Sequence, residues 1–286
     1  MQRFYWSPRW KGRAVAQLPQ SCRFPRRSQR FEGFECCPSA IDDRKWIQSQ
    51  LRAAYREFFF RLFFSGTQCR SEDMKIGIIG AGDIGKLYGR LWGEAGHDIM
   101  ISSRSSETRE FAARAIAADS GTPEEAAVFG EVVLLAVNYA NVDEATSAIA
   151  AQVSGKLVID ATNPLVLVSG GDTERVIPEN AIAGEVMAEK LPGARVAKSF
   201  TTLWSGYVEQ HADRENPTVA MTLSANDPAD RETVAQLVRD AGLVPVDLGA
   251  LAQSRPLDPP SPVWNVVLSA QELEERVAAF RQEQVA

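Results

Sequence analysis

The stretch Met74-Lys-Ile-Gly-Ile-Ile-Gly80-Ala-Gly82-Asp-Ile-Gly85 decides the fold. Lys75 to Ile79 is a short apolar run closed by glycine, as a strand buried on both faces requires. The segment after the glycines places Ile84, Leu87, Tyr88, Leu91, Trp92 and Ala95 on one helical stripe and ends at Gly96. Asp98 to Ser102 then reads as a second strand, so strand, glycine turn, helix and strand follow one another within 30 residues. That is a βαβ unit.

Outward from it the alternation continues. The pattern predicts a helix over 107–118, a strand over 131–137, a helix near 143–153 and a strand over 156–160. After Asn163-Pro164 it loosens, then resumes with a helix over 183–190 and strands over 195–198 and 218–223. Asp227-Pro228 opens a helix that Gly242 stops, and 243–247 reads as the last strand. A proline-rich loop over 249–262 leads to a terminal helix opened by Ser269-Ala-Gln-Glu272, a capping-box pattern. Repeated βα units with apolar strands predict an α/β fold, a Rossmann-like doubly wound parallel sheet with a small C-terminal extension.

The glycine turn has a specific physical reading. Gly80 permits the tight turn, Gly82 lets backbone approach a pyrophosphate, and Gly85 lets helix and strand pack closely; free N–H groups at the helix start then hold phosphates. The bland alternative is a tight turn with no ligand. A cofactor with a bare ribose calls for Asp or Glu after the second strand. Here that stretch is Ile101-Ser-Ser103-Arg104-Ser-Ser106, with hydroxyls and a guanidinium but no carboxylate. It suits the 2′-phosphate of NADP(H), with Arg104 and Ser103 as partners, against the alternative of a solvated arginine in a serine-rich loop.

Composition bounds the rest. The chain has 286 residues with formal net charge −6, but Met1 to Asp73 is basic and everything from Met74 onward is acidic. All four cysteines and nine of thirteen phenylalanines precede Met74, which excludes disulfides and cysteine-based metal sites from the acidic part. Two histidines, His97 and His211, are too few for a His-rich metal centre or a His-centred triad, and no metal site is expected. Strong negative charge disfavours nucleic-acid binding. The longest apolar run, Phe58 to Phe64, is interrupted by Arg61 and far short of a membrane span. Residues 1–73 carry one periodic segment from about Ile41 that suits a basic amphipathic helix and are otherwise irregular. We expect the fold to begin at Met74, with 1–73 an upstream over-extension, and 74–286 to form an NADP-binding domain whose segment from about 200 lies on the substrate side.

Taken with VVLLAV, VIDATNP, LPGARVAKSF and SRPLDPPSPVWN, the glycine turn and its SSR resemble the NADP-dependent oxidoreductases of the deazaflavin coenzyme F420, from Met74 to the C-terminus. The resemblance implies hydride exchange between NADPH and a planar acceptor, coenzyme F420 or a flavin, bound against the nicotinamide, in a homodimer; with no recognisable signal or membrane span in the sequence, the cytoplasm is the expected location. It implies that Gly80, Ala81, Gly82, Asp83, Ile84 and Gly85 cradle the pyrophosphate and that Ser103 and Arg104 take the 2′-phosphate. Ala136 and Val137 would pass the nicotinamide-side ribose, and Asn163 and Pro164 would wall the acceptor space. The required proton can come from solvent, so positioning is the main demand and no catalytic side chain is singled out.

Departures bear on the acceptor. Asp83 stands where relatives commonly have Asn, and Asn138-Tyr139 and Ser199-Phe-Thr201-Thr202 depart from the commoner residues. An anionic coenzyme tail calls for cations, for which Lys198, Arg195 and Arg255 are candidates by position, against the alternative of ordinary surface cations, with Thr201 as a further acceptor-side residue. His97 reads as a turn residue and His211 as exposed. Trp204 and Tyr207 suit either stacking on a flat acceptor or core packing. Two other functions share the glycine turn: an NADP(H)-binding redox sensor without turnover, and reduction of a small carbonyl or imine, as in pyrroline-carboxylate reductases.

Overall fold

The computed structural model describes residues 73–168 and 172–284. The basic segment 1–72 and its candidate amphipathic helix lie outside the described residues.

The sequence alternation becomes ten strands and eight α-helices among the described residues. In chain order they begin β1 Lys75–Ile79, α1 Asp83–Ala95, β2 Asp98–Ser102, α2 Ser106–Ile116, β3 Asp119–Gly121, α3 Pro123–Phe129, β4 Val132–Leu135, α4 Val142–Ile149 and β5 Leu157–Asp160. A hairpin follows, β6 Leu165–Leu167 and β7 Thr173–Arg175, then α5 Ala183–Lys190, β8 Arg195–Ser199 and α6 Ser205–His211. The chain closes with β9 Ala220–Ala225, α7 Pro228–Asp240, β10 Val244–Asp247 and α8 Ala270–Glu283. The short β3, α3, α6 and the hairpin escaped the sequence reading, because none is long enough to show a period.

The main sheet runs β10-β9-β8-β5-β4-β1-β2-β3. Strand direction departs from the expectation in one place: β8 and β9 are antiparallel, so the sheet is parallel from β3 to β8 and turns over at β9 and β10. The chain leaving β8 stays at the carboxyl edge through α6 and re-enters directly alongside, and an antiparallel neighbour needs no crossover helix. Strand residues alternate between two cores. Ile76, Ile78, Leu134, Leu157 and Ile159 pack with α1 and α7, while Ile79, Val133, Leu135 and Val158 pack with α3, α4 and α5. Helices therefore cover both faces, which is the doubly wound arrangement.

Trp92 anchors the first core. It is fully buried, donates Nε1–H to the Leu237 carbonyl at 2.8 Å and meets the Tyr88 and Phe200 rings at 5.5 and 5.3 Å. His97 corrects the sequence reading. Rather than an idle turn residue it is 2% exposed, accepts from the Met74 N–H through Nδ1 and bonds Asp240 through Nε2 at 3.0 Å, tying the start of β1 to α7. The C-terminal segment forms its own cluster, with Leu257, Val263 and Leu268 under Leu273 and Val277 of α8. The expected Ser269–Glu272 capping box opens that helix.

Candidate functional site

Parallel register builds the site. Ser102, Ile79, Leu135, Asp160 and Lys198 lie in one row across β2, β1, β4, β5 and β8, so the loops that follow these residues emerge side by side. The order reverses between β1 and β4, where open α/β sheets bind ligands. Backbone bonds carry the pairing one residue further, from Gly80 N–H to Ser102 O, Ala136 N–H to Ile79 O and Ala161 N–H to Leu135 O. The expected cofactor residues 80–85, 103–104, 136–137 and 163–164 thus share one edge.

Two of the three turn glycines are required by the fold itself. Gly80 has φ +120°, and a Cβ there would lie 2.2 Å from the Ala136 oxygen. A Cβ at Gly85 would lie 2.0 Å from the Gly80 oxygen. Gly82 differs: its φ of −77° suits any residue, and a Cβ would meet nothing within 4 Å. The chain has no packing reason for glycine there, and the open space faces the start of α1. That helix start has no side-chain cap, so its first-turn N–H groups have no protein side chain to satisfy them. Asp83 does not obstruct them, since its carboxylate is exposed and paired with Lys86 at 3.2 Å.

Ser103 is half-buried and Arg104 exposed at the end of β2. The Arg104 guanidinium meets Glu144 of α4 at 2.6 Å, with both side chains more than half exposed. That pair reaches across the mouth of the β1–β4 crevice, and in solvent it is worth little enough to yield to a stronger anion.

Farther along the row, Lys198 and Asp160 form a fully buried ion pair at 2.7 Å. Lys198 also donates to the Thr162 carbonyl, while Asp160 Oδ1 accepts from the Thr162 N–H and hydroxyl at 2.8 and 2.7 Å. Both charges are consumed in fixing the turn that presents Asn163. Lys198 is therefore corrected from an anion-binding candidate to an internal brace, buried because the β5–β8 register sets it directly beside Asp160. Arg195 is corrected as well: it begins β8 at the opposite edge of the sheet and pairs with Asp230 at 3.4 Å. Asn163 Nδ2 donates to the Thr201 carbonyl at 3.0 Å, which joins the β5 and β8 loops; Asn163 Oδ1 and Thr201 Oγ1 are buried and make no bond to protein. Phe200, immediately before Thr201, holds the left-handed φ of 60°, a strained conformation for an aromatic residue.

Trp204 is 60% exposed and stacks edge-on against Tyr207 at 5.6 Å, so it is not a core residue; His211 is exposed as expected. Arg255 reaches the carboxyl edge because the loop after β10 runs back across the sheet, from the Ala225–Gly249 backbone bond to the Asn265–Thr202 bond. There it joins residues that sequence reasoning missed. Arg175 of β7 donates to the Ala181 and Pro259 carbonyls at 2.8 and 3.1 Å and meets the fully buried Asp258 at 3.4 Å. A lone arginine in the loosely patterned 165–182 stretch carried no signal of this. At Tyr139, burial first, then Asp160 and Asp143, push the phenol up to about 12, with Arg175 opposing, so it stays a neutral donor. No group of three or more His, Cys, Asp or Glu side chains among the described residues could hold a metal ion.

With this geometry in place, comparison with known proteins is informative. Residues 75–164 match the family described as NADP oxidoreductase, coenzyme F420-dependent. An F420-dependent NADP reductase of Methanothermobacter thermautotrophicus is 29% identical over 205 residues, covering 66% of this chain and 87% of that protein. Metalloreductase STEAP3 of Rattus norvegicus is 28% identical over 188 residues, covering 65% of this chain. That match spans 36% of the rat protein, so the chain corresponds to about a third of it. Among solved structures, a hypothetical protein from Sinorhizobium meliloti superimposes with a TM-score of 0.60 at 27% identity, covering 68% of this chain and 95% of that one.

Proposed function

We propose that this chain, similar to the coenzyme F420-dependent NADP oxidoreductases, transfers hydride between NADPH and a planar acceptor, coenzyme F420 or a flavin-like molecule. The observation that carries the reading is Gly82, whose missing side chain serves no packing purpose and keeps the space before an uncapped helix start clear. A pyrophosphate fits that space, because free N–H groups and the positive helix end favour an anion, and only a residue without Cβ lets the backbone come that close. Bound NADPH would supply the hydride from its nicotinamide ring.

The chain's residues bind and orient. The N–H groups of Asp83, Ile84 and Gly85 hold phosphate oxygens. Arg104 turns from Glu144 to the 2′-phosphate with Ser103 beside it, a charge-assisted contact stronger than the exposed pair it replaces. Ala136 and Val137 lie against the glycine turn and border the nicotinamide-side ribose. Asn163, Pro164 and Thr201 wall the reacting face, held by the Lys198–Asp160 brace behind them. Asn163 Oδ1 accepts from, and Thr201 Oγ1 donates to, the amide-like edge of a ring placed there. This machinery fixes distance and angle and moves no proton, which matches a reaction whose main barrier is positioning.

The test is NADPH oxidation by the full chain, followed by loss of nicotinamide absorbance, with coenzyme F420, a flavin and a ferric chelate supplied in parallel. The ferric arm is included because one relative is a metalloreductase. Turnover with F420 or the flavin supports the reading; tight NADPH binding with no reduction of either leaves a cofactor-bound sensor or another substrate and removes it.

A further inference from the structure

Trp204 lies in solvent, yet the chain holds it in place. It ends the loop that follows β8, between the buried Leu203 and the start of α6, and is 60% exposed. Its backbone is clamped by the C-terminal segment. Asn265 Oδ1 accepts from the Trp204 N–H at 3.2 Å, and the Asn265 N–H donates to the Thr202 carbonyl at 2.6 Å. Asn265 makes both bonds from a left-handed φ of 58°, which asparagine tolerates better than most residues. The Trp204 carbonyl accepts from the Tyr207 and Val208 N–H groups at 3.0 and 3.3 Å.

The indole is seated as well. A Cβ on Gly206 would lie 2.4, 2.6 and 2.8 Å from Cζ3, Cη2 and Cε3 of Trp204, three consecutive atoms of the six-membered ring. An approach to the ring edge would bring one atom much closer than its two neighbours, so near-equal distances place that Cβ over the face. The indole therefore lies flat on the Gly206 backbone, and the Tyr207 ring meets it at 5.6 Å and 87°. Gly206 has no left-handed φ to explain it and weakens the helix that it sits in; its missing side chain makes room for the indole. With one face seated, the exposure of Trp204 falls on the opposite face and the rim.

That open face belongs to the loop at the reacting edge. Thr201, three residues earlier, is 3% exposed and leaves its hydroxyl without a protein partner, as does Asn163 Oδ1, whose amide nitrogen bonds the Thr201 carbonyl. Helix α6 runs alongside α1 in the same direction. Glu209 meets Arg90 at 3.8 Å, and Arg214, just beyond α6, reaches the Leu91 carbonyl and Glu94 at 2.7 and 3.2 Å. The start of α6, and Trp204 with it, is thus turned toward the start of α1 and the glycine turn. An aromatic face fixed in advance favours a stacking partner, because the indole loses little freedom when the partner arrives.

We propose that Trp204, seated on Gly206, is the surface on which the flat fused ring of the acceptor stacks, and that it sets the preference of the site for such rings. The inference rests on the hydride-transfer reading above and adds the residue that recognises the acceptor ring by its face.

Riboflavin, a neutral flavin, is the probe. With the full chain and NADPH, Trp204→Ala is expected to raise KM for riboflavin by about 5- to 100-fold, the worth of one stacked aromatic pair, without a matching loss of NADPH affinity or Tm. Trp204→Phe should recover most of that loss. Gly206→Ala keeps the indole but unseats it, and should raise KM similarly although alanine favours the helix. A purely structural Trp204 would lower Tm and spare KM. An unchanged riboflavin KM in Trp204→Ala, with NADPH still oxidised, overturns the proposal and leaves hydride transfer standing. An equal loss of NADPH affinity overturns it too, since the indole would then lie against the cofactor, and so does dissociation of an oligomer with KM unaltered, which would make Trp204 a contact between copies. If the unaltered chain reduces no riboflavin, the flavin reading fails separately, and quenching of riboflavin fluorescence by the NADP-loaded protein decides the role of Trp204. Binding that Trp204→Ala weakens supports it; equal or absent binding overturns it.

Discussion

Replacing Gly82 separates binding from folding. At φ −77° and ψ −169° an alanine fits without strain, and its Cβ meets nothing within 4 Å. The unfolded chain loses conformational freedom, which stabilises the native state by about 0.4–1 kcal/mol. Alanine is a poorer residue than glycine before a helix start, which costs about as much. The two effects nearly cancel, so Gly82→Ala should leave Tm close to that of the unaltered chain. Gly85→Ala is the contrast. Its Cβ would sit 2.0 Å from the Gly80 backbone oxygen, and such overpacking costs about 1–3 kcal/mol, or several degrees of Tm in a domain of this size. For the cofactor the order inverts. A Cβ at position 82 displaces the pyrophosphate, and losing one charge-assisted bond weakens binding by about 10- to 150-fold, more for Gly82→Val. Thermal unfolding and NADPH fluorescence titration of the same three variants measure both. Tight NADPH binding by folded Gly82→Val, or a Gly82→Ala as unstable as Gly85→Ala, would refute the assignment of that space to the cofactor.

The other expectations concern charge. Arg104→Ala should raise the NADPH dissociation constant far more than that for NADH, with stability within about 0.5 kcal/mol because its pair with Glu144 is exposed; equal losses in titrations with both cofactors would remove the 2′-phosphate from the account. Lys198→Met leaves Asp160 buried without its counter-charge and should cost about 3–5 kcal/mol in denaturant unfolding, part of it recovered when Asp160→Asn is added; an unaffected midpoint would show that the brace is not structural. Glu272 titrates below the ordinary carboxylate range because the Ser269 N–H and then its hydroxyl bond the ionised form. Its contribution to the start of α8 is therefore complete above the unfolded value near about 4.3 and fades as pH falls through the lower folded value. Amide exchange at the first turn of α8 should lose protection over that range, whereas in Glu272→Gln it should change little.

How far the sequence reaches can be read from particular residues. Gly80, Gly82 and Gly85 between an apolar run and an amphipathic stripe fixed the βαβ unit, and Ser269–Glu272 fixed a helix start, because turn geometry, helical period and capping act over a few residues. The absence of a carboxylate after β2 pointed to Arg104 in the same way. Lys198 shows the limit: by position it looked like a free cation at a strand end, yet the β5–β8 register sets it against Asp160, 38 residues earlier, and buries both. Arg195, three residues away, faces the opposite edge because β8 separates them along its length. His97 was an ordinary turn residue until α7 brought Asp240 against it across 143 residues. Arg175 and Asp258, 83 residues apart, meet only because the hairpin and the loop after β10 fold back over one edge. Local steric and hydrogen-bonding rules thus chose the elements and the glycine turn. Which charges neutralise each other, and which are left for a ligand, was decided by strand register and loop return, since Coulomb interactions depend on distance in space and not along the chain.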